Sequence, residues 1–300
     1  MVVLDSAYRG RFAPSPTGPL HFGSLYTAIA SFLQARSKSG KWLVRIDDLD
    51  PFRCKQEYSS KILGTLEQYG LTWDEDVFYQ SNRFNTYKNA LEELNQRQLL
   101  YPCRCSRKDL ASRQINNGIY DGYCLTHPPS PKQATSLRVK LTSEPVPLTD
   151  NIQGASQQNL QKDVGDFVLF RKDHVYAYHL AVILDDDAQG ITEVLRGYDL
   201  LNSTYRQIYL QQLLQIQTPY YAHIPVISDS MGAKLSKQTF ASDISLSPVN
   251  ETLISAFRHL NLNPPNDLIA SNAADILSWG IKHWSLERIQ PKGALPFQAY

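Results

Sequence analysis

Apolar and polar residues recur along this chain with two periods, and the chain changes element where the period changes. Residues 10–24, GRFAPSPTGPLHFGS, open as an apolar strand at Arg11, Phe12 and Ala13 and break into a turn at Pro14, Pro16 and Gly18. They resume at His21 and Gly23 as a helix whose apolar face runs Leu25, Ile29, Phe32 and Leu33. Residues 41–46, KWLVRI, read as a short buried strand running straight into Asp47, Asp48 and Asp50. Amphipathic helices are predicted over 56–69 and 83–98, the second with Tyr87, Leu91 and Leu94 at helical spacing.

From residue 100 to about 164 the texture changes. Prolines at 128, 129, 131, 145 and 147 and many Ser, Gln and Asn residues mark an inserted subdomain. Within it, 136–141 (SLRVKL) alternates as a strand, and 151–162 is polar enough to read as a mobile loop. Regular patterning resumes at Asp166 with the strand DFVLFR, a helix over 178–186, the strand GITEVLRG at 190–197, a helix over about 203–215 and a final strand, HIPVIS, at 223–228. Strands alternating with helices predict an α/β fold with a mostly parallel sheet. From residue 250 the pattern is helical, through Leu253, Ile254, Phe257, Leu260, Ile276, Leu277, Ile281 and Trp284, and no internal repeat is visible.

The 300 residues, 42% of them hydrophobic, can bury a sizeable core in two or three compact units. No run approaches the ~18 apolar residues of a membrane span, and the opening MVVLDSAYRG lacks the form of a signal peptide, so a cytoplasmic protein is expected. With a net charge of +1, any grip on nucleic acid has to come from a local basic patch. Cys54 stands alone, while Cys103, Cys105 and Cys124 cluster and point to a metal. Three thiolates suit zinc in a closed four-ligand site, and zinc geometry by itself favours His127 as the remaining donor.

The helix start after the Pro/Gly turn offers free N–H groups to an anion, and Gly18 and Gly23 let a phosphate or base approach the backbone. Ligands gather at the carboxyl ends of strands in open α/β sheets, which puts Asp47 beside that turn if the first two strands are neighbours. Residues 231–237, MGAKLSK, read as a loop with two lysines three apart, suited to a polyphosphate as charge accumulates on it. Taken singly, each feature also fits an ordinary turn or solvated surface charge.

Together and in order, RFAPSPTGPLHFGS, RIDDLD, YHLAVILDD, VLRG and KLSK resemble the class I aminoacyl-tRNA synthetases of the glutamyl and glutaminyl group, over nearly the whole chain up to about residue 240. HFGS and GIYDGYC are similar to the truncated bacterial paralogues of glutamyl-tRNA synthetase within that group. The resemblance implies a Rossmann-type catalytic domain over 1–240 with an inserted acceptor- and zinc-binding subdomain at about 100–165. It further implies a helical C-terminal segment over 241–300, with no anticodon-binding domain. The implied protein is a monomeric ligase that activates L-glutamate with ATP and Mg2+, independently of tRNA, and transfers it to queuosine at the wobble position of tRNA(Asp). Charging of a tRNA 3′ end and a non-catalytic nucleotide- or RNA-binding module are the alternatives.

Residue by residue, the resemblance implies that Arg11 and Arg196 hold carboxylate, a task suited to the planar guanidinium fork. Ser15 and Tyr178 add hydroxyl contacts, Ala13 lies in the same pocket, and Asp47 faces the amino group where the family usually has Glu. Pro14, Gly18, His21, Gly23, Ser24, Lys234, Ser236 and Lys237 are implied for ATP, with His21, Lys234 and Lys237 catalytic. Tyr120 is implied as the fourth zinc ligand beside Cys103, Cys105 and Cys124.

Overall fold

The structure, a computed structural model, describes residues 7–113, 118–228 and 243–297. The chain opens with β1 (Arg9–Phe12), α1 (Phe22–Ser37), β2 (Lys41–Ile46), α2 (Gln56–Gln68), β3 (Phe78–Tyr79) and α3 (Phe84–Gln96). It continues through β4 (Leu100–Cys103), α4 (Arg107–Ser112), α5 (Tyr123–Thr126), β5 (Ser136–Val139), β6 (Val146–Asp150), β7 (Gly154–Gln158), α6 (Leu160–Asp163) and β8 (Val168–Phe170). The last stretch holds α7 (Tyr178–Ala188), β9 (Glu193–Gly197), α8 (Leu201–Leu214), β10 (Tyr220–Ile224), β11 (Val226–Ser228), α9 (Val249–His259), α10 (Ala273–His283) and β12 (Ala294–Pro296).

Parallel pairing, expected from the alternation, is present in two sheets, β1–β2–β3 and β6–β10–β9, the second carrying β7 antiparallel on its edge; β3 and β6 were not read from the pattern. The two abut at β1 and β9, where Thr192 N–H donates to the Arg9 carbonyl (3.0 Å) and Arg9 N–H to the Thr192 hydroxyl (2.9 Å). Helix α1 is apolar on more than one face because it is covered on more than one: Leu25, Ile29 and Leu33 share a core with Val44 and Ile46 of β2 and with Phe257 and Ile276 of α9 and α10. A second core joins Leu94, Val139, Leu148, Leu180, Ile183 and Leu210. No helix among the described residues is long and apolar enough to cross a membrane.

Four expectations change. Residues 151–162 are not a mobile loop: they hold β7 and α6, and Asp150 Oδ1 closes the β6–β7 turn by accepting N–H groups from Ile152 (3.0 Å) and Gln153 (2.8 Å). β7 is an exposed edge strand, so no apolar alternation marks it. The stretch HIPVIS is split between β10 and β11 at Pro225, which has no N–H to give a ladder. It is also not the final strand, because β12 pairs parallel with β11 in a stretch read as helical. The strand expected from Asp166 begins at Val168 and joins an antiparallel sheet, β4–β5–β8, since the Asp166 carboxylate is turned aside to Tyr101 Oη (2.7 Å) and the Leu141 N–H (2.9 Å).

Candidate active site

Arg11 near the end of β1, Asp47 just after β2, Asp150 closing β6, Arg196 late in β9 and His223 late in β10 all lie at carboxyl ends of parallel strands. The turn between β1 and α1 is fastened there twice, the Pro14 carbonyl accepting the Asp47 N–H and the Pro16 carbonyl the Lys55 N–H, each at 3.0 Å. It delivers the chain to α1, whose N-cap is His21, with Nδ1 3.4 Å from Ser24 N and Nε2 3.0 Å from Ser24 Oγ. A cavity of about 300 Å3 opens above this junction, walled by Arg11, Ala13, Pro14, Ser15, His21, Gly23, Ser24, Tyr178 and Arg196. Asp47 lines a second cavity, of about 530 Å3, that shares Ser15 and Tyr178 with the first. Gly18 lines neither, and Lys234, Ser236 and Lys237 lie outside the described residues.

The two arginines are in opposite electrical situations. Arg11 is forked onto Asp186 of α7, Nε to Oδ1 at 3.0 Å and Nη2 to Oδ2 at 3.3 Å, so its charge is met inside the protein. Among the described residues, the side chain of Arg196 bonds neutral acceptors alone: Nε to His223 Nε2 (3.1 Å), Nη2 to Thr204 Oγ1 (2.8 Å) and to Gln207 Oε1 (2.7 Å). Its Nη1 is buried with no acceptor among the described residues. A buried donor without a partner costs about 1–3 kcal/mol, so this nitrogen is poised for an acceptor that enters the cavity.

Beneath Arg11, the fully buried Arg45 bridges two carboxylates, Nε to Asp47 Oδ1 (2.7 Å) and Nη1 to Asp186 Oδ1 (2.6 Å). Burial pushes Asp47 up to about 6, against the opposing pull of Arg45. Burial also works to raise Asp186, but the guanidiniums of Arg11 and Arg45 override it and hold that carboxyl below the usual range. The neighbouring Asp185 turns the other way, to Gln80 Nε2 (2.8 Å) and Tyr87 Oη (2.7 Å), and burial raises it.

Arg45, Asp186, Asp150, His223, Thr204 and Gln207 were not singled out from the sequence. Two signals were available: an arginine inside the otherwise apolar strand KWLVRI, and consecutive aspartates at the end of an apolar helix. Either is a buried charge in need of a partner.

Residues 7–252 match the family model for class I tRNA synthetases (E and Q), catalytic domain. The chain belongs to this family. The synthetase is 47% identical, over 96% of its length and 94% of the relative's, to the glutamyl-Q tRNA(Asp) synthetase of Methylococcus capsulatus. It is 46% identical to that of Neisseria meningitidis serogroup C, over 96% of its own length and 99% of the relative's. Its fold is shared with a crystal structure of a glutamate tRNA ligase from Elizabethkingia meningosepticum in complex with its amino acid. The TM-score is 0.79 at 24% identity, with 98% of this chain and 68% of that one covered. The protein is accordingly an enzyme, a ligase of the aminoacyl-tRNA synthetase type with a class I catalytic fold.

Away from the cavity, the synthetase gathers Cys103, Cys105 and Cys124 so that their Sγ atoms lie within 4.8 Å of one another, with Cys105 and Cys124 3.5 Å apart. A tetrahedral zinc with Zn–S near 2.3 Å requires sulfurs about 3.8 Å apart, so the three thiols fit one ion. The Tyr120 hydroxyl stands 3.4 Å from Cys103 Sγ and 3.9 Å from Cys105 Sγ. Its N–H donates to the Val164 carbonyl (3.2 Å), and the next residue, Gly165, has the positive φ and missing Cβ that let the Tyr120 peptide pack against it. His127 is elsewhere, exposed and stacked on Tyr123 with its Nδ1 turned to Thr126 Oγ1 (2.9 Å), so the donor favoured by zinc geometry alone is not at the cluster.

Proposed function

We propose that this synthetase activates L-glutamate with ATP in the absence of tRNA and then transfers it to queuosine at the wobble position of tRNA(Asp). The names of the relatives support the substrates, and the unpartnered Nη1 of Arg196 carries the pocket assignment. In this reading Arg196 takes a glutamate carboxylate, with Arg11, Ala13, Ser15 and Tyr178 around it, while Asp47 offers its second oxygen to the ammonium. Pro14, Gly18, His21, Gly23 and Ser24 receive ATP at the α1 N-terminus, with Lys234, Ser236 and Lys237 closing on its phosphates. Mg2+ comes with the nucleotide, held mostly by its phosphates. The glutamate carboxylate attacks the α-phosphorus, pyrophosphate leaves, and no side chain serves as nucleophile.

The second cavity shares Asp50, Arg53, Val168 and Arg171 with a recess of about 770 Å3 that adds Arg107 and Arg138 to its wall. Arg53 and Arg171 are paired there with Asp50 and Asp173, but four arginines against two aspartates leave the path cationic on balance, which suits the approach of a polyanionic acceptor. The test is to incubate the enzyme with ATP and labelled glutamate, first alone in ATP–pyrophosphate exchange and then with tRNA(Asp) with or without queuosine, and with tRNA(Glu). Exchange without tRNA and label only on queuosine-containing tRNA(Asp) are expected. Label on the 3′ end of tRNA(Glu) would establish the ordinary charging reaction instead, and exchange that appears only on adding tRNA would sink independent activation.

Zinc held by Cys103, Cys105, Cys124 and Tyr120 forms part of the proposal as a structural ion, separate from the reacting groups. Cys103→Ser is expected to lose bound zinc, melt earlier and lose transfer to tRNA, while retaining more of its exchange activity. Metal analysis and the two assays check this; exchange falling as far as transfer would tie the ion to the chemistry.

Glutamate binding should also depend on pH. Asp47 titrates near 6, so it is ionised at neutral pH and attracts the ammonium; as pH falls through 6 it gains a proton and that attraction is lost. The Michaelis constant for glutamate is therefore expected to rise below about pH 6, and Asp47→Asn to be weak and flat across the same range. A wild-type constant that stays level down to about pH 5 would remove Asp47 from the ammonium contact.

A further inference from the structure

Arg196 and His223 are register partners on neighbouring parallel strands, and behind His223 lies a second buried acid. His223 is completely buried, with Nδ1 2.5 Å from Asp150 Oδ2 and Nε2 facing both Arg196 Nε (3.1 Å) and Thr204 Oγ1 (3.0 Å). Asp150 is fixed in turn by the N–H groups of Ile152, Gln153 and His223 on its Oδ1.

These contacts leave one consistent proton arrangement. An arginine Nε–H can only donate, so His223 Nε2 must present a lone pair to it. The single imidazole proton then sits on Nδ1 and is donated to Asp150. A doubly protonated ring would set an N–H against the guanidinium in a dry interior. Thr204 Oγ1 accepts from Arg196 Nη2 (2.8 Å), and its one proton, within reach of the Leu200 carbonyl (3.1 Å), turns instead to the His223 Nε2 lone pair (3.0 Å), which fits the same tautomer.

We propose that Asp150 and His223 are positioning residues for substrate: by fixing the imidazole as its Nδ1–H tautomer they hold the Arg196 fork in the rotation that leaves Nη1 for the incoming carboxylate. Because every direct acceptor of Arg196 among the described residues is neutral, its charge is left for that carboxylate. This rests on the reading of Arg196 as the carboxylate-binding group.

The decisive variant is Asp150→Asn, which keeps size and burial but can offer an amide N–H to Nδ1 and drive the proton to Nε2, against Arg196. Exchange kinetics should show the glutamate Michaelis constant raised about ten- to hundredfold, with that for ATP within about twofold. His223→Gln, which can restore an acceptor for Arg196 Nε, should recover part of the loss seen in His223→Leu. Equal rises for glutamate and ATP, or a constant for glutamate unchanged in Asp150→Asn, would overturn the proposal. A second measurement does not depend on the substrate or on the variants folding. Long-range 1H–15N correlation spectra of the unaltered protein should show a buried histidine protonated on Nδ1 alone at neutral pH. Protonation on Nε2, or on both nitrogens, overturns the proposal. Absence of glutamate-dependent exchange in the unaltered enzyme with that tautomer intact would instead refute the assigned substrate.

Discussion

Arg196→Lys is expected to reduce glutamate activation by the equivalent of about 2–4 kcal/mol in transition-state binding, roughly thirty- to thousandfold in kcat/KM, although the formal charge is kept. The structure gives the reason. Three of the Arg196 contacts, to His223, Thr204 and Gln207, use the Nε and Nη2 edge, and only the planar fork can satisfy that edge while presenting Nη1 to a ligand. A lysine ammonium has to choose between the buried acceptors and the substrate. Either choice leaves polar groups unpaired in a water-poor cavity. The loss should fall on glutamate and spare ATP, whose proposed contacts lie at the α1 N-terminus. Unchanged glutamate kinetics with normal ATP use would mean the amino-acid pocket is elsewhere in the chain.

The largest effect on stability is expected at Arg45. Arg45→Met should lower the unfolding free energy by about 3–5 kcal/mol, because it strips Asp47 of the cation bonded to it in the interior and leaves Asp186 with Arg11 alone. Packing volume is nearly conserved, so the loss reports the charges. The sign of the pH dependence follows: the deficit is greatest where both acids are ionised and shrinks as pH falls and they take up protons. Asp47, already raised to about 6, gains its proton first. Urea unfolding at neutral pH and near pH 5 measures both quantities. A deficit below about 1 kcal/mol, or one that grows on acidification, would show that the carboxylates do not depend on Arg45.

Sequence alone determined the elements with a strong period, β2, α2, α3 and α7 to within about two residues at either end, because apolar spacing there is set by burial on one side or both. The turn chemistry marked His21, and the resemblance of the motifs to a known family marked Arg11, Ser15, Tyr178 and Arg196, since motifs are local in the chain. Only the tertiary structure decided what those side chains meet. Arg11 and Arg196 are equivalent as letters, yet Asp186, 175 residues along, neutralises the first, while His223, 27 residues along, leaves the second its charge. The returning strand β12 was hidden because its partner β11 lies far back in the chain, and the exposed edge strand β7, although it pairs with its chain neighbour β6, was hidden because a hydrogen-bond ladder leaves no apolar period when neither face is buried. The surroundings of Tyr120 and His127 were likewise a matter of distance: both sit near Cys124 in sequence, but the fold turns the hydroxyl of one toward the thiol cluster and stacks the ring of the other on Tyr123 in solvent. Local pattern fixes which groups exist, and the desolvated contacts that set their charge and proton positions are long-range products of folding.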